Sequence, residues 1–161
     1  MAFDVDGVLT DGGLFYAGRA EGARRFHVHD GLGLQLLARA GIVTALVSAR
    51  RSAALARRAV ELGVAHCLQG VADKGAALAA LLARLGLQAT AAGYMGDDLP
   101  DLPAFARCGF ACAPPEAVAP VRACAHYVAR RPAGAGAVRD VCEYVLEAQG
   151  RLAPLLAAYR R

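Results

Sequence analysis

The sequence predicts an α/β fold in which a mostly parallel β-sheet is flanked by helices. Apolar runs of strand length alternate along the 161 residues with segments whose apolar residues have helical spacing. This alternation is typical of βαβ units, whose right-handed crossovers make successive strands parallel. The length suits a single domain that spans residues 1–161. We therefore expect one Rossmann-like sheet with its ligand site at the carboxyl ends of the strands.

The strands are predicted from short apolar or β-prone runs. The first strand consists of the apolar residues before Asp4, and later runs have the length of strands that are covered on both faces. These later runs are residues 42–47, 64–68, 91–95, 109–113 and 127–128.

The helices are predicted from apolar spacing together with capping residues. Asp30 and Asp73 are plausible N-caps, and Gly41, Gly63 and Gly86 stand where helices would end. The predicted helices comprise residues 31–40, 52–62, 74–85, 116–123, 137–148 and 152–159.

Residues 12–29 are predicted to form a small β-hairpin between the first strand and the first helix. Two short β-prone runs, residues 14–16 and 25–28, flank a polar link that contains Gly18 and Gly22. Residues 132–136 are predicted to form a loop, because they are rich in glycine and alanine after a proline.

Composition and charge argue against a membrane protein and against a nucleic-acid binder. Although 57% of the residues are hydrophobic, no uninterrupted apolar run approaches the roughly 20 residues of a membrane helix, and the first residues do not resemble a secretory signal. The net charge of +4 comes from scattered arginines without interleaved aromatic residues, so we expect a small anionic substrate. The five cysteines form no C-x-x-C pair, which favours free thiols in a cytoplasmic protein.

Six of the nine aspartates lie in two short acidic clusters, each placed after a predicted strand. Asp4 and Asp6 project to the same side of an extended backbone, because side chains in such a segment repeat every second residue. Carboxylates this close require a cation, or act as a nucleophile beside an acid. Taken alone, the first cluster also fits a polar turn, since Asp and Gly are ordinary turn residues.

Two further polar residues stand at related positions. Ser48 follows the run 42–47, where it could bind a ligand or simply cap the next helix. Lys74 is the only lysine among 18 basic residues. It falls in the first turn of a predicted helix, where the helix dipole disfavours a cation, and this mismatch favours a functional role.

Together these residues resemble the four motifs of the haloacid dehalogenase superfamily. The matching residues are Asp4-Val5-Asp6-Gly7-Val8-Leu9-Thr10, Ser48, Lys74 and Asp97-Asp98, in that order. The resemblance covers nearly the whole chain and implies Mg²⁺-dependent phosphoryl transfer through an aspartyl-phosphate.

The resemblance also implies a role for each residue. Asp4 is the nucleophile, Asp6 the general acid and base, and Ser48 a hydrogen-bond donor to the phosphoryl group. Lys74 places its charge beside Asp4. Mg²⁺ is held by Asp4, the main-chain carbonyl of Asp6, and Asp97. Asp98 orients water or the groups that surround the metal ligands, and Asp101 positions Lys74.

Four stretches narrow the resemblance to the 3-deoxy-D-manno-octulosonate 8-phosphate phosphatase family. They are residues 26–34 (Phe-His-Val-His-Asp-Gly-Leu-Gly-Leu), 48–50 (Ser-Ala-Arg), 96–101 (Gly-Asp-Asp-Leu-Pro-Asp) and 134–139 (Gly-Ala-Gly-Ala-Val-Arg). The family implies a cytoplasmic enzyme of lipopolysaccharide biosynthesis that assembles as a homotetramer. The hairpin then replaces a cap domain, and residues 132–139 and the tail at 149–161 cover a neighbouring subunit's pocket.

The sequence departs from this family at two positions. His29 stands where the family usually has Arg, and Ala135 replaces another Arg. Both departures remove guanidinium groups suited to a carboxylate or phosphate, so they concern sugar specificity. Arg50, Arg139 and His29 are the predicted substrate-binding residues.

Two alternatives stay open from the sequence. A nonulosonate 9-phosphate phosphatase, or a less specific sugar phosphatase, would use the same chemistry. A non-catalytic tetramerisation module would use the same fold, although the intact set of Asp4, Asp6, Lys74 and Asp97 argues against it.

Overall fold

The computed structural model describes residues 1–15 and 23–160, and it contains the predicted parallel sheet. The strands are β1 (Ala2–Phe3), β2 (Ala45–Ser48), β3 (His66–Gln69), β4 (Gly93–Met95), β5 (Phe110–Ala113) and β6 (Tyr127–Val128). They form one sheet in the order β3-β2-β1-β4-β5-β6, and every pair is parallel. β1 therefore lies at the centre, where the order of connection reverses and doubly wound folds bind ligands.

Helices cover both faces of this sheet. They are α1 (Val28–Arg39), α2 (Ala53–Leu62), α3 (Lys74–Leu85), α4 (Leu102–Phe105), α5 (Ala119–Cys124), α6 (Ala137–Ala148) and α7 (Leu152–Ala157). Short 3₁₀ turns occupy Ala89–Ala91, Leu99–Asp101 and Ala158–Arg160. Within the described ranges, every helix falls short of the length and apolarity needed to cross a bilayer.

Alternating strand side chains divide the core into two layers. Phe3, Leu46 and Met95 pack with α1, α2 and α6 on one face, whereas Val47 and Tyr94 pack with α3, α4 and α5 on the other. This follows from the two-residue side-chain period of a strand. Because both faces of the central strands β1, β2 and β4 are buried, these strands are mostly apolar in the sequence.

Most of the predicted elements are present, with shifted ends. Ser52 and Asp73 cap α2 and α3 with their side chains, and Gly63 and Gly86 end these helices in the left-handed conformation. Four predicted ranges start two or three residues too early: the strand at 42–47 begins at Ala45, that at 64–68 at His66, that at 91–95 at Gly93, and the helix at 116–123 at Ala119.

The predicted start of the first helix is wrong. α1 begins at Val28, because the His27 side chain accepts the backbone N–H of His29 as the N-cap. Asp30 lies inside the first turn, fully buried, and accepts the backbone N–H groups of Gly136 at 3.2 Å and Arg139 at 2.8 Å. Asp30 therefore caps α6, a helix more than 100 residues away, instead of its own.

The predicted hairpin strand at 25–28 is also wrong. Residues 23–27 form no strand, and Val28 belongs to α1. Part of the other predicted strand and the link between them lie outside the described residues. The side chains of Arg24 and Arg25 instead reach Asp6 and Asp11, which holds this segment against the loop that follows β1.

A buried carboxylate ties β6 to α6. Asp140 accepts hydrogen bonds from the Tyr127 hydroxyl, the Arg130 backbone and the Arg130 guanidinium. Burial alone would raise the pKa of Asp140, but these hydrogen bonds outweigh burial and hold the pKa below its ordinary value. This contact fixes residues 130–136 where they run past the ends of the strands.

Candidate active site

The sheet brings the predicted catalytic residues to its carboxyl edge. The register pairs Phe3 with Leu46 on one side and with Met95 on the other, so β1, β2 and β4 end side by side. Asp4 follows β1, Ser48 ends β2 and Asp97 comes two residues after β4. Residues far apart in the chain therefore meet at the point where the sheet's connections reverse.

Lys74 joins the two acidic clusters. It is the first residue of α3 and is only 6% exposed. Its Nζ lies 2.8 Å from Asp4 Oδ1 and 2.7 Å from Asp101 Oδ1. Burial alone would lower the pKa of Lys74, but attraction to Asp4 and Asp101 outweighs burial and raises it. The ammonium group therefore stays charged beside Asp4.

Asp4 and Asp97 are crowded carboxylates. Burial, followed by the charge of Asp101, raises the pKa of Asp4 to about 6. Burial, followed by the charges of Asp4 and Asp101, raises the pKa of Asp97 to about 8. Burial and the neighbouring carboxylates therefore both disfavour the charged forms of Asp4 and Asp97.

Asp97 also has a buried oxygen that accepts no hydrogen bond. Its Oδ1 has no partner in the part of the chain that the structure describes. Gly7, in the loop after β1, makes room for this carboxylate, since a Cβ at Gly7 would overlap it. Gly7 also has a φ of 89°, which side-chain-bearing residues rarely adopt.

One carboxylate oxygen of each of Asp4, Asp97 and Asp101 lies within 4.8 Å of the other two, a spacing that suits a metal ion. However, Asp101 is already saturated with donors. It accepts hydrogen bonds from Lys74 Nζ, the Tyr94 hydroxyl, and the backbone N–H groups of Asp97 and Asp98. Asp4 and Asp97 are therefore the better metal ligands, and hard carboxylate oxygens suit Mg²⁺.

Asp98 and Asp101 also shape the chain that follows β4. Asp98 is exposed, and its Oδ1 accepts the backbone N–H of Leu99 at 2.7 Å. The two aspartates form a reciprocal capping box around the turn at Leu99–Asp101. This turn fixes the position of Asp97 relative to Lys74.

Asp6 follows Asp4 by two residues in the loop after β1, and Ser48 ends the neighbouring strand β2. Asp6 is half-buried, and its Oδ2 lies 3.3 Å from the guanidinium of Arg24. Ser48 is 1% exposed, and its Oγ accepts the Arg50 backbone N–H at 3.1 Å. A hydroxyl that accepts one hydrogen bond still has its own proton to donate, so Ser48 can bind a ligand oxygen.

A cavity of about 370 Å³ opens beside these carboxylates. Asp97 and Gly7 line it from the sheet edge, and Asp11 and Arg25 line it from the segments around residues 16–22. Residues 132–135 form a further wall, anchored where the Gly134 backbone N–H donates to the Val8 carbonyl at 3.1 Å. The predicted loop at 132–136 therefore borders its own chain's site.

The three predicted substrate-binding residues are not in contact with the acidic cluster. Arg50 and His29 are exposed, and Arg139 pairs with Glu143, with Nε 2.7 Å from Oε1. Among the described residues, no hydrogen bond or ion pair joins any of the three to Asp4, Asp6 or Asp97.

Sequence reasoning missed two residues that touch the predicted site. Tyr94 is fully buried and donates its hydroxyl to Asp101 Oδ1 at 3.0 Å, yet in the sequence it looks like any aromatic residue of a buried strand. Arg24 contacts Asp6, and nothing in its local sequence distinguishes it from the other arginines. Both contacts depend on the tertiary fold, so the sequence carried no local signal for them.

No family model matches this chain. A curated relative from Haemophilus influenzae, a 3-deoxy-D-manno-octulosonate 8-phosphate phosphatase, is 41% identical over 148 residues. The aligned region covers 92% of this chain and 82% of the relative. The chain belongs to the 3-deoxy-D-manno-octulosonate 8-phosphate phosphatase family.

Solved structures agree with membership of this phosphatase family. One is the Moraxella catarrhalis 3-deoxy-D-manno-octulosonate 8-phosphate phosphatase in complex with a magnesium ion, a phosphate ion and KDO (3-deoxy-D-manno-octulosonate). It is 42% identical to this chain, with a TM-score of 0.95. The match covers 98% of this chain and 91% of that one. A Legionella pneumophila protein described as a HAD superfamily (subfamily III A) hydrolase is 39% identical with a TM-score of 0.93, covering 98% and 87%. The predicted superfamily and family are therefore both confirmed.

Proposed function

We propose that this chain is a Mg²⁺-dependent phosphatase that hydrolyses 3-deoxy-D-manno-octulosonate 8-phosphate. The observation that carries the proposal is the buried Asp4 and the half-buried Asp97 beside Lys74, with one Asp97 oxygen that has no hydrogen-bond partner among the described residues. Membership of the phosphatase family supports the substrate, as does the family member whose structure holds magnesium, phosphate and KDO. The reaction would belong to lipopolysaccharide biosynthesis. We place it in the cytoplasm, with which the five free cysteines agree.

The donor set fits magnesium. Asp4, Asp97 and the main-chain carbonyl of Asp6 would hold the ion, because they offer hard oxygen ligands and because Asp101 is already saturated with donors. The bound cation would neutralise the crowded carboxylates and the phosphate of the substrate, which would otherwise repel the attacking group.

Asp4 attacks the phosphorus, and the bond between phosphorus and the ester oxygen breaks. Asp6 gives its proton to the departing alcohol, which leaves Asp4 as an aspartyl-phosphate. Asp6 then takes a proton from a water molecule that attacks the phosphorus, and inorganic phosphate leaves with Asp4 regenerated. One carboxyl group serves both half-reactions, because each returns it to the protonation state that the other requires.

The other residues hold the phosphoryl group in place. Ser48 donates its hydroxyl to a phosphoryl oxygen, and Lys74 presents its charge to the same group while remaining paired with Asp4. Asp101 positions Lys74 through the 2.7 Å contact, and Asp98 stabilises the turn that holds Asp97. Arg50, Arg139 and His29 would bind the sugar acid, although none of them contacts the acidic cluster within this subunit.

A homotetramer would complete the open site. Leu14, Phe15 and Val28 are 45%, 62% and 71% exposed, and they lie on both sides of residues 16–22. Adjacent exposed apolar side chains, such as those of Leu14 and Phe15, are typical of an interface between subunits. In such an assembly, the tail at 149–161 of one subunit would cover the pocket of the next, whereas residues 132–135 wall the site of their own subunit.

Phosphate release from a panel of sugar-acid phosphates, with Mg²⁺ and with a chelator, tests the proposal. We expect fast release from 3-deoxy-D-manno-octulosonate 8-phosphate, slower release from nonulosonate 9-phosphates, and loss of both when the metal is removed. Release by Asp4→Asn at the wild-type rate would rule out Asp4 as the nucleophile. A folded tetramer that is inert towards every phosphomonoester would support the tetramerisation module instead.

A further inference from the structure

Arg24 is a buried cation beside the proposed general acid. Its guanidinium lies 3.3 Å from Asp6 Oδ2, and its side chain is only 10% exposed. Its NH1 group is buried without a hydrogen-bond partner among the described residues. A buried guanidinium nitrogen with unused donors is costly, so such a group in contact with the proposed general acid points to a ligand that is absent from the free protein.

The neighbouring arginine shows that this burial is specific to Arg24. Arg25 and Asp11 line the cavity, but their ion pair is solvent-exposed, with Arg25 66% and Asp11 43% exposed. The two residues are adjacent in the chain and both reach the loop after β1. Of these two arginines, Arg24 is the one with a buried nitrogen that has no hydrogen-bond partner among the described residues.

The position of Asp6 indicates which part of the substrate Arg24 meets. Ser48, Lys74 and the metal would bind the phosphoryl oxygens, whereas Asp6 must face the ester oxygen that leaves with the alcohol. A guanidinium in contact with Asp6 therefore lies on the leaving-group side of the phosphorus. Its planar, directional donors suit hydroxyl or carboxylate oxygens.

We propose that Arg24 binds an oxygen of the departing sugar acid, and that it thereby selects phosphate esters whose alcohol carries further oxygen acceptors. This inference rests on the proposed phosphatase function and adds a specificity residue to it. Arg24 lies in the segment between the first motif and α1. The segment that would form the subunit interface would therefore also bind the sugar part of the substrate.

The test compares two esters. Arg24→Gln, Arg24→Lys and wild type are assayed with 3-deoxy-D-manno-octulosonate 8-phosphate and with n-butyl phosphate, whose alcohol has no oxygen besides the ester. Losing a hydrogen bond from a charged donor to a substrate oxygen should lower kcat/KM for the sugar ester at least about 10-fold in Arg24→Gln. The loss for butyl phosphate should stay below about 3-fold. Arg24→Lys should recover part of the sugar-ester activity, because it keeps a charged donor.

Arg57→Gln is the matched control. Arg57 also pairs with a carboxylate, Glu61, at 3.1 Å, but its side chain is 84% exposed on α2. This variant should match wild type on both esters. Thermal unfolding of each variant separates a loss of binding from a loss of fold.

Equilibrium binding makes the inference independent of turnover. By calorimetry, Arg24→Gln should bind free KDO about 10-fold more weakly than wild type and inorganic phosphate equally well. Equal losses on both esters, equal losses for KDO and phosphate, or no loss with the sugar would each overturn the inference. Wild-type protein that fails to hydrolyse the sugar ester would instead refute the proposed function, and the KDO and phosphate affinities would still decide the role of Arg24.

Discussion

Replacing Asp101 with asparagine should destabilise the protein by about 3 kcal/mol, because Asp101 is the buried partner of Lys74. The Asp101 carboxylate is fully buried and accepts four hydrogen bonds. An asparagine there has the same shape. However, asparagine replaces one of the two carboxylate oxygens, each of which accepts two hydrogen bonds, with an amide NH₂ group that cannot accept them.

The magnitude follows from what remains after the substitution. Removing one partner of a buried ion pair costs about 3 to 5 kcal/mol. Lys74 keeps Asp4 at 2.8 Å, and losing the charge of Asp101 relieves its repulsion with Asp4 and Asp97. Both effects reduce the cost, so we take the lower end of that range.

Urea unfolding at neutral pH in the presence of a chelator measures this cost. With a slope of about 2 kcal/mol per molar urea, the midpoint should fall by about 1.5 M. Asp98→Asn is the matched control, since it makes the same chemical change on the exposed side of the same turn. Asparagine is as good an N-cap as aspartate, so this variant should lose less than about 1 kcal/mol. Equal losses in the two variants would refute the reasoning.

Three further predictions concern the site, the assembly and the response to acid. Gly7→Ala should lower kcat/KM more than about 100-fold, because its Cβ would displace the carboxylate of Asp97, the proposed metal ligand. Gly63→Ala, at a φ of 66° with nothing within 4 Å, should leave kcat/KM within about 2-fold. Phe15→Glu should lower the molar mass measured by light scattering, because it places a charge in the proposed subunit interface. Leu87→Glu, near the amino ends of the strands, should leave the molar mass unchanged. Equal molar masses for wild type and Phe15→Glu would exclude this interface. The lowered pKa of Asp140 means that its stabilising effect is present above about pH 4 and is lost as the pH falls through the folded-state pKa. The unfolding free energies of wild type and Asp140→Asn should therefore differ at pH 7 and converge below about pH 4, and a constant difference would contradict the assignment.

The features of the fold that depend on local chemistry could be predicted from the sequence. Ser52 and Asp73 cap their own helices, and Gly63 and Gly86 end them, because each acts within a few residues. Strand ends were harder to predict. A strand begins where a neighbouring strand pairs with it, and β-prone residues such as those at 42–44 do not indicate where that pairing starts.

Features that depend on distant partners escaped the sequence. Asp30 has the chemistry of an N-cap, but it caps α6, because the fold brings Gly136 and Arg139 to it. The carboxylates of the site were predictable, since strands of a parallel sheet end at one edge. The contacts of Arg24 with Asp6 and of Tyr94 with Asp101 were not, because each joins residues through packing instead of through a motif.

The central claim is that Asp4 carries the phosphoryl group during the reaction. Wild-type enzyme can be quenched with acid while it turns over 3-deoxy-D-manno-octulosonate 8-phosphate with Mg²⁺, and its peptides analysed by mass spectrometry. We expect phosphate on the peptide that contains Asp4, and none on that peptide in Asp4→Asn. Steady hydrolysis with an unmodified Asp4 peptide at every quench time, or undiminished hydrolysis by Asp4→Asn, would contradict the claim.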